Sequence, residues 1–208
     1  MLSWAFRLLT STLGINVFFE RDPSIEPADA CEDPSSTTVI KCVFWGGFTG
    51  EESANNDGQW RNQFHVVIAG SNGYQKTGVP TIDGYSGVYL GNAAINAPLD
   101  NNNEDTYLGV RVLTRSYFDP ALCKAACEAY NDDTLAHSDN PKTCQFFTTY
   151  IANLNGRPEG QVCALYHKGW DKSYATNVGQ WRGSDHATVG YSFAYWNNAN
   201  PGFPELKQ

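Results

Sequence analysis

Positive charge is scarce in this sequence. Fourteen Lys and Arg stand against 22 Asp and Glu, the net charge is −8, and the basic residues nowhere cluster, so the electrostatic footprint that nucleic-acid binding requires is missing. Methionine occurs once, against 19 Gly and 10 Pro; this composition excludes long helical bundles and points to a turn-rich, β-heavy protein. No apolar run reaches the roughly 20 residues of a membrane-spanning helix, because the longest candidate, Leu2 to Phe19, is broken by Arg7, Ser11, Gly14 and Asn16. No membrane span is expected. Aromatic residues, by contrast, are plentiful: 13% of 208 residues, six of them Trp, in a chain long enough to bury a core.

The motifs of common catalytic centres are also missing. Gly84-Tyr85-Ser86-Gly87 and Gly70-Ser71-Asn72-Gly73 both lack the spacing that exposes a nucleophilic serine on an elbow. Ser184-Asp185-His186 holds the three triad residue types, but chain neighbours cannot converge as nucleophile, base and orienter. His65, His137, His167 and His186 form no i,i+4 pair for a metal. The acidic loop Asp100 to Asp105 lacks the sixth-position Gly and twelfth-position Glu of a calcium loop. No catalytic residue, metal or cofactor is assigned.

Six cysteines favour disulfides and an oxidising compartment, hence an extracellular protein. Cys31 and Cys42 flank one short segment, while Cys123, Cys127, Cys144 and Cys163 form a second group; one local staple and one four-cysteine framework are expected. A structural zinc site needs a second close pair, which Cys123 and Cys127 do not have.

The amino end, with Trp4, Ala5, Leu8 and Leu9 on one side and Gly14 as a stop, reads as a short amphipathic helix before a strand Ile15 to Phe19. Its charge sits inside the apolar run and no small-residue cleavage site follows, so it is a poor export signal. The chain is expected to begin inside a longer precursor. Further strands are expected at Val39 to Trp45 and Gln59 to Gly70, with Ser71-Asn72-Gly73 turning Tyr74 to Thr77 back as a hairpin. Gly78 to Gly91 reads as a connection, and Tyr107 to Thr114 as a strand. Asp119-Pro120 opens the one clear helix, because Asp caps free amides and Pro at the first position loses no hydrogen bond. Cys123 and Cys127 then stack on one helical face. Cys144 to Ile151 and Gly160 to Tyr166 read as a hairpin around Asn155-Gly156, and Ala187 to Trp196 as the closing strand.

Cys-x3-Cys on a helix, then Cys144-Gln145-Phe146 at a strand start and Cys163-Ala164-Leu165 on its partner, resembles the PAN/Apple module. Ala94-Ile95-Asn96-Ala97-Pro98, Tyr117 to Cys123 and Tyr174 to Gln180 are similar to Apple-like modules in secreted proteins of filamentous fungi, and Asn62 to Tyr74 to the region preceding that module. The resemblance implies an α+β fold in which an antiparallel sheet is crossed by one disulfide-pinned helix, with an N-terminal β-rich extension. It implies the pairings Cys123–Cys163 and Cys127–Cys144, leaving Cys31–Cys42 by elimination. The organisation expected is 1–23 as the N-terminal helix and strand, 24–82 as a β-rich region with the local disulfide, 83–197 as the PAN/Apple-like domain and 198–208 as a tail.

Two patches near the carboxyl end combine aromatic surfaces with polar groups suited to sugars: Trp170, Asp171 and Tyr174, and Trp181, Arg182, Asp185 and His186. Large aromatics ordinarily fill cores; as a surface, these residues are the candidate binding site, on the loop between Tyr166 and Ala187. The function expected is a secreted, non-catalytic recognition module for a glycan or extracellular protein. The alternative is an extracellular carbohydrate-active enzyme using paired carboxylates, which must face each other about 5 to 10 Å apart.

Overall fold

The computed structural model describes residues 13–46, 51, 54–114 and 117–200; the helix expected around Trp4 to Leu9 lies outside them. Backbone pairing is almost wholly antiparallel, and the chain divides into two units, Met1–Lys76 and Thr77–Gln208.

The first unit is one four-stranded sheet of order β2-β1-β4-β3, built from β1 (Gly14–Pro23), β2 (Ser36–Trp45), β3 (Gly58–Arg61) and β4 (Phe64–Gln75). Two expectations fail here. Gln59 to Gly70 is two strands, because Asn62 takes a left-handed φ of 50° and turns the chain between β3 and β4. Ser71-Asn72-Gly73 makes no hairpin: β4 continues through it, since Asn72 and Gly73 pair with Val17 and Asn16 of β1. The left-handed residue is Gly70, φ 62°, and it makes a bulge opposite β1 instead of a reversal.

In the second unit β7 (Tyr107–Leu113), β8 (Phe146–Leu154), β9 (Arg157–Tyr166), β11 (Gly179–Arg182) and β12 (Asp185–Asn197) form a sheet of order β11-β12-β8-β9-β7. The far half of β12 also pairs with β5 (Tyr85–Gly91), so the glycine-rich stretch read as a connection contains a strand. Backbone pairing there does not depend on bulky side chains. β6 (Ala94–Ile95) and β10 (Ala175–Asn177) pair separately. Asn155 and Gly156, both at positive φ, close the β8–β9 hairpin.

Helix α1 (Pro120–His137) lies against β8 and β9. Asp119 caps it by accepting from the Ala121 amide at 2.9 Å. Gln161, 1% exposed, anchors the cap: it donates to the Asp119 carbonyl at 2.9 Å and accepts from the Asp119 amide at 3.0 Å. Cys123 bonds Cys163 and Cys127 bonds Cys144, the two pairings that the resemblance implied. Beneath the helix Phe118, Phe147, Tyr191, Phe193 and Tyr195 form a linked aromatic cluster with neighbouring centroids 4.8 to 6.5 Å apart. The opposite face of the sheet carries a second core of Ile95, Phe146, Ala164, Tyr166, Trp170 and Ala194. The described fold is therefore largely β, with this one described helix and two disulfides.

Cys31 and Cys42 are unbonded and exposed, which corrects the third pairing. Cys31 lies on the loop between β1 and β2, bridged to Ala28, whereas Cys42 sits six residues inside the extended β2. At about 3.3 Å per residue, Cys42 sits some 20 Å along the strand from Ser36, the end of β2 that the Cys31 loop leads into. Alkylation without reductant is expected to label Cys31 and Cys42 and neither pair on α1. Recovery of a Cys31–Cys42 peptide would contradict this geometry.

The two sheets repeat one another. Order β3-β4-β1-β2 in the first unit matches β11-β12-β8-β9 in the second. In each, Val17 or Thr149 faces a cysteine, Cys42 or Cys163, across the corresponding pair. The bulge recurs too: the register of β4 slips between Ala69 and Asn72, and that of β12 between Gly190 and Phe193. A left-handed residue, Gly70 or Tyr191, sits in each. Tyr191 is not a glycine, and φ 51° costs an L-residue with a large side chain; its ring, packed edge-on against Phe118 and Phe193, holds it there.

Candidate functional site

The β11–β12 hairpin is shaped by its glycines. Gly179 has φ +117°, and a Cβ there would lie 2.1 Å from the Ala187 carbonyl oxygen; only glycine fits. Asn177 Oδ1 accepts from the Gly179 amide at 3.1 Å, and the Val189 amide donates to the Val178 carbonyl at 3.1 Å. Gly183, φ +65°, turns the chain. This sets Trp181 opposite His186, their rings stacked 4.3 Å apart and 6° from parallel. Trp181 is 67% exposed.

The first unit builds the same device. Asn56 Oδ1 accepts from the Gly58 amide at 3.2 Å, Gly58 has φ +130° with its Cβ position blocked by the Val66 carbonyl, and the Ile68 amide donates to the Asp57 carbonyl at 2.9 Å. Trp60 stacks on His65 at 4.3 Å and 8°, and is again 67% exposed. The shared residues are Asn-x-Gly-Gln-Trp-Arg followed by His, at Asn56 to His65 and at Asn177 to His186. Sequence reasoning singled out the second copy and missed the first, although the repeated Gly-Gln-Trp-Arg was a legible signal.

Strand alternation sends Gln180 and Arg182 to the sheet face opposite Trp181. There a groove of about 200 Å³ is lined by Tyr150, Asn153, Asn177, Gln180, Arg182 and Thr188 among others, with no carboxylate in its wall. In the orientation that satisfies both groups, the Gln180 amide oxygen accepts from Arg182 Nε and Nη2 at 2.9 Å each. Arg182 has no carboxylate partner among the described residues. Burial raises the Tyr150 phenol above its usual pKa, keeping it a neutral donor and acceptor. A second groove, about 320 Å³, runs between β7 and α1, lined by Arg111, Val112, Leu113, Ala126, Tyr130 and Asp133 among others.

The structure divides the residues expected to bind. Trp181, Arg182, Asp185 and His186 all lie on the β11–β12 hairpin, Asp185 accepting from Asn155 Nδ2 at 2.9 Å. Trp170 does not join them and is no surface anchor. It is 1% exposed, inside the second core, with its indole N–H donating to Thr106 Oγ1 at 2.8 Å. Tyr174 packs edge-on against it at 5.0 Å. Asp171 caps a single 3-10 turn, Lys172–Tyr174, and the hydrogen bond from the Ser173 amide at 2.9 Å holds its carboxyl below the usual range. The front of the loop is thus a lid on the core, because its aromatics pair with β6 and the sheet rather than with solvent.

The base of that lid has its own acid-sensitive clasp. Asp100 accepts from Lys168 Nζ and from the amides of Glu104 and Asn102, which together hold its carboxyl at about 2. A lowered folded-state pKa adds stability that is present above the ordinary carboxylate value near 4 and lost as pH falls through about 2. Acid titration of the melting temperature should therefore fall less steeply across that window in Asp100→Asn than in the parent. Parallel curves would show that the clasp contributes nothing.

No group of three or more metal-binding side chains converges among the described residues. Comparison of the chain with protein-family models, curated proteins and solved structures finds no match.

Proposed function

We propose that the chain is a secreted, non-catalytic recognition module of the PAN/Apple-like kind, resembling those of filamentous fungi, which binds a glycan or an extracellular protein. One observation carries this reading: an indole two-thirds exposed and held flat by a histidine occurs twice, at Trp60 and Trp181. A cross-strand aromatic pair contributes only about 0.2 to 1 kcal/mol to a hairpin, and neither indole fills a core. A flat, rigid ring suits the C–H face of a sugar or an aromatic anchor of a protein interface. On the second unit Gln180 and Arg182 line a separate polar groove on the opposite face of the hairpin, so the ring and its histidine carry this reading by themselves.

The two disulfides agree with an oxidising compartment, and no helix of the described residues is long and apolar enough to cross a membrane. The alternative, an enzyme with paired carboxylates, draws no support from the two grooves: one has Asp133 in its wall and the other no carboxylate.

A glycan array and an extracellular-protein screen with the oxidised chain test the proposal. Trp181→Ala and Trp60→Ala should each weaken binding of the selected ligand by over 1 kcal/mol, roughly fivefold, without lowering the melting temperature by more than a few degrees. Affinity unchanged in both variants would sink the reading.

A further inference from the structure

The structural repeat gives two versions of one sheet face, one in each unit. On the second unit this face lies under α1, and Phe147, Ile151, Gln161, Cys163, Leu165 and Tyr195 are each at most 5% exposed. Register equivalence gives their counterparts on the first unit as Ile15, Phe19, Ile40, Cys42, Phe44 and Tyr74. Phe19, Ile40, Phe44 and Tyr74 are 49, 66, 50 and 61% exposed, and Cys42 is an exposed free thiol.

A solvent-facing side of an antiparallel sheet normally alternates to polar residues. Here Thr38 and Asn72 are polar residues set among a larger apolar group. The other side carries the ions: Lys41 pairs with Glu20 and Asp22 there, while on this side aromatic and β-branched residues surround a cysteine. A contiguous apolar patch of this kind marks an interaction surface. Cys42 occupies the position from which Cys163 reaches the helix cysteine Cys123. Four of the six cysteines are consumed within the second unit, and Cys31, on the loop before β2, is not bonded to Cys42.

We infer that the bare face of the first sheet is a seat for an amphipathic, cysteine-bearing helix from outside these 208 residues, locked in place by a disulfide to Cys42. The helix lies across β1 and β2 as α1 lies across β8 and β9. Closure is a thiol–disulfide exchange. The Cys42 thiolate attacks a small-molecule disulfide such as oxidised glutathione and releases one glutathione thiolate. The helix thiolate then attacks Cys42 sulfur and expels the second. Two protein thiols are oxidised and one glutathione disulfide is reduced to two thiols.

The probe is a synthetic peptide with the sequence of residues 117–140 carrying Cys127→Ala, so that its one thiol is that of Cys123. It is incubated with the oxidised full chain in a glutathione redox buffer, and the adducts are mapped by mass spectrometry. A templated face gives at least about tenfold more adduct at Cys42 than at Cys31, since seating raises the local thiol concentration. A scrambled peptide of the same composition loses that preference, and Ile40→Asp, at an exposed position, cuts the Cys42 adduct about tenfold. Melting of the Ile40→Asp chain at the parent temperature confirms that its fold is retained; should it melt early, Tyr74→Lys serves in its place. Equal labelling of Cys31 and Cys42, or equal yields with the scrambled peptide, overturns the inference. So does a Cys42–Cys42 dimer that forms in preference to the adduct, which would assign the face to a second copy of the chain.

Discussion

Trp170→Ala should destabilise the second unit by about 3 to 5 kcal/mol, the usual cost of deleting a buried large aromatic. The indole is 1% exposed and is packed among Ile95, Phe146, Tyr166 and Ala194, so its removal leaves a cavity that rigid sheet neighbours cannot close. It also strips Thr106 Oγ1, itself fully buried, of its 2.8 Å donor, and an unpaired buried hydroxyl adds to the loss. The segment from Trp170 to Tyr174 would lose its grip on the chain just after β6, where the Asn96 amide donates to the Tyr174 carbonyl. Trp181→Ala, eleven positions along, should leave the melting temperature nearly unchanged. Chemical denaturation of the two variants side by side separates a core tryptophan from a surface one. Equal losses would mean that the exposed indole supports the fold as well.

Those two residues show where the sequence was readable. Both stand in polar, glycine-containing surroundings, and composition gave them one character: aromatic surface beside Asp, Arg and His. Their difference comes from partners distant along the chain. Trp170 meets Thr106 and Ile95, whereas Trp181 stacks on His186, five positions along the chain on the paired strand. Local signals, by contrast, translated directly. The Asp119-Pro120 helix start, the Asn155-Gly156 hairpin turn and the aromatic closing strand appear where their chemistry places them. Ser71-Asn72-Gly73 has equally strong turn chemistry and failed, since the ten-residue partner strand β1 pairs with Asn72 and Gly73 and carries β4 straight on past the bulge. The even cysteine count misled in a similar way. Parity treats six thiols as one set, but a bond also needs proximity, and the extended β2 denies it to Cys31 and Cys42. The sheet repeat was partly visible as Gly-Gln-Trp-Arg written twice; its larger part, the register and the bulge, is backbone geometry with little residue identity behind it.

Removing both disulfides, in Cys123→Ala/Cys127→Ala, is expected to be the most damaging change of all. The bridges close segments of 40 and 17 residues, and chain entropy assigns each about 3 kcal/mol or somewhat more, so together they account for much of the 5 to 15 kcal/mol that a typical domain possesses. The remaining hydrogen bonds that hold α1 among the described residues include the Gln161 clasp on Asp119, the pair between Asn131 and the Cys144 backbone, and Lys124 Nζ donating to the Asp83 carbonyl. The buried residues of the helix are Pro120, Cys123 and Cys127, so the bridges form the centre of its contact with the sheet. Losing the bridges therefore removes the seat as well as the tether. The sheet left behind would present Phe147, Phe193 and Tyr195 to water, the condition in which the first unit already holds Asn72 and Tyr74. The expected readout is a fall of about 5 kcal/mol or more in the urea-unfolding free energy, accompanied by binding of a dye that reports exposed apolar surface. Cooperative unfolding at the parent's midpoint, without dye binding, would show that packing alone keeps the helix on the sheet and that the bridges are ornamental.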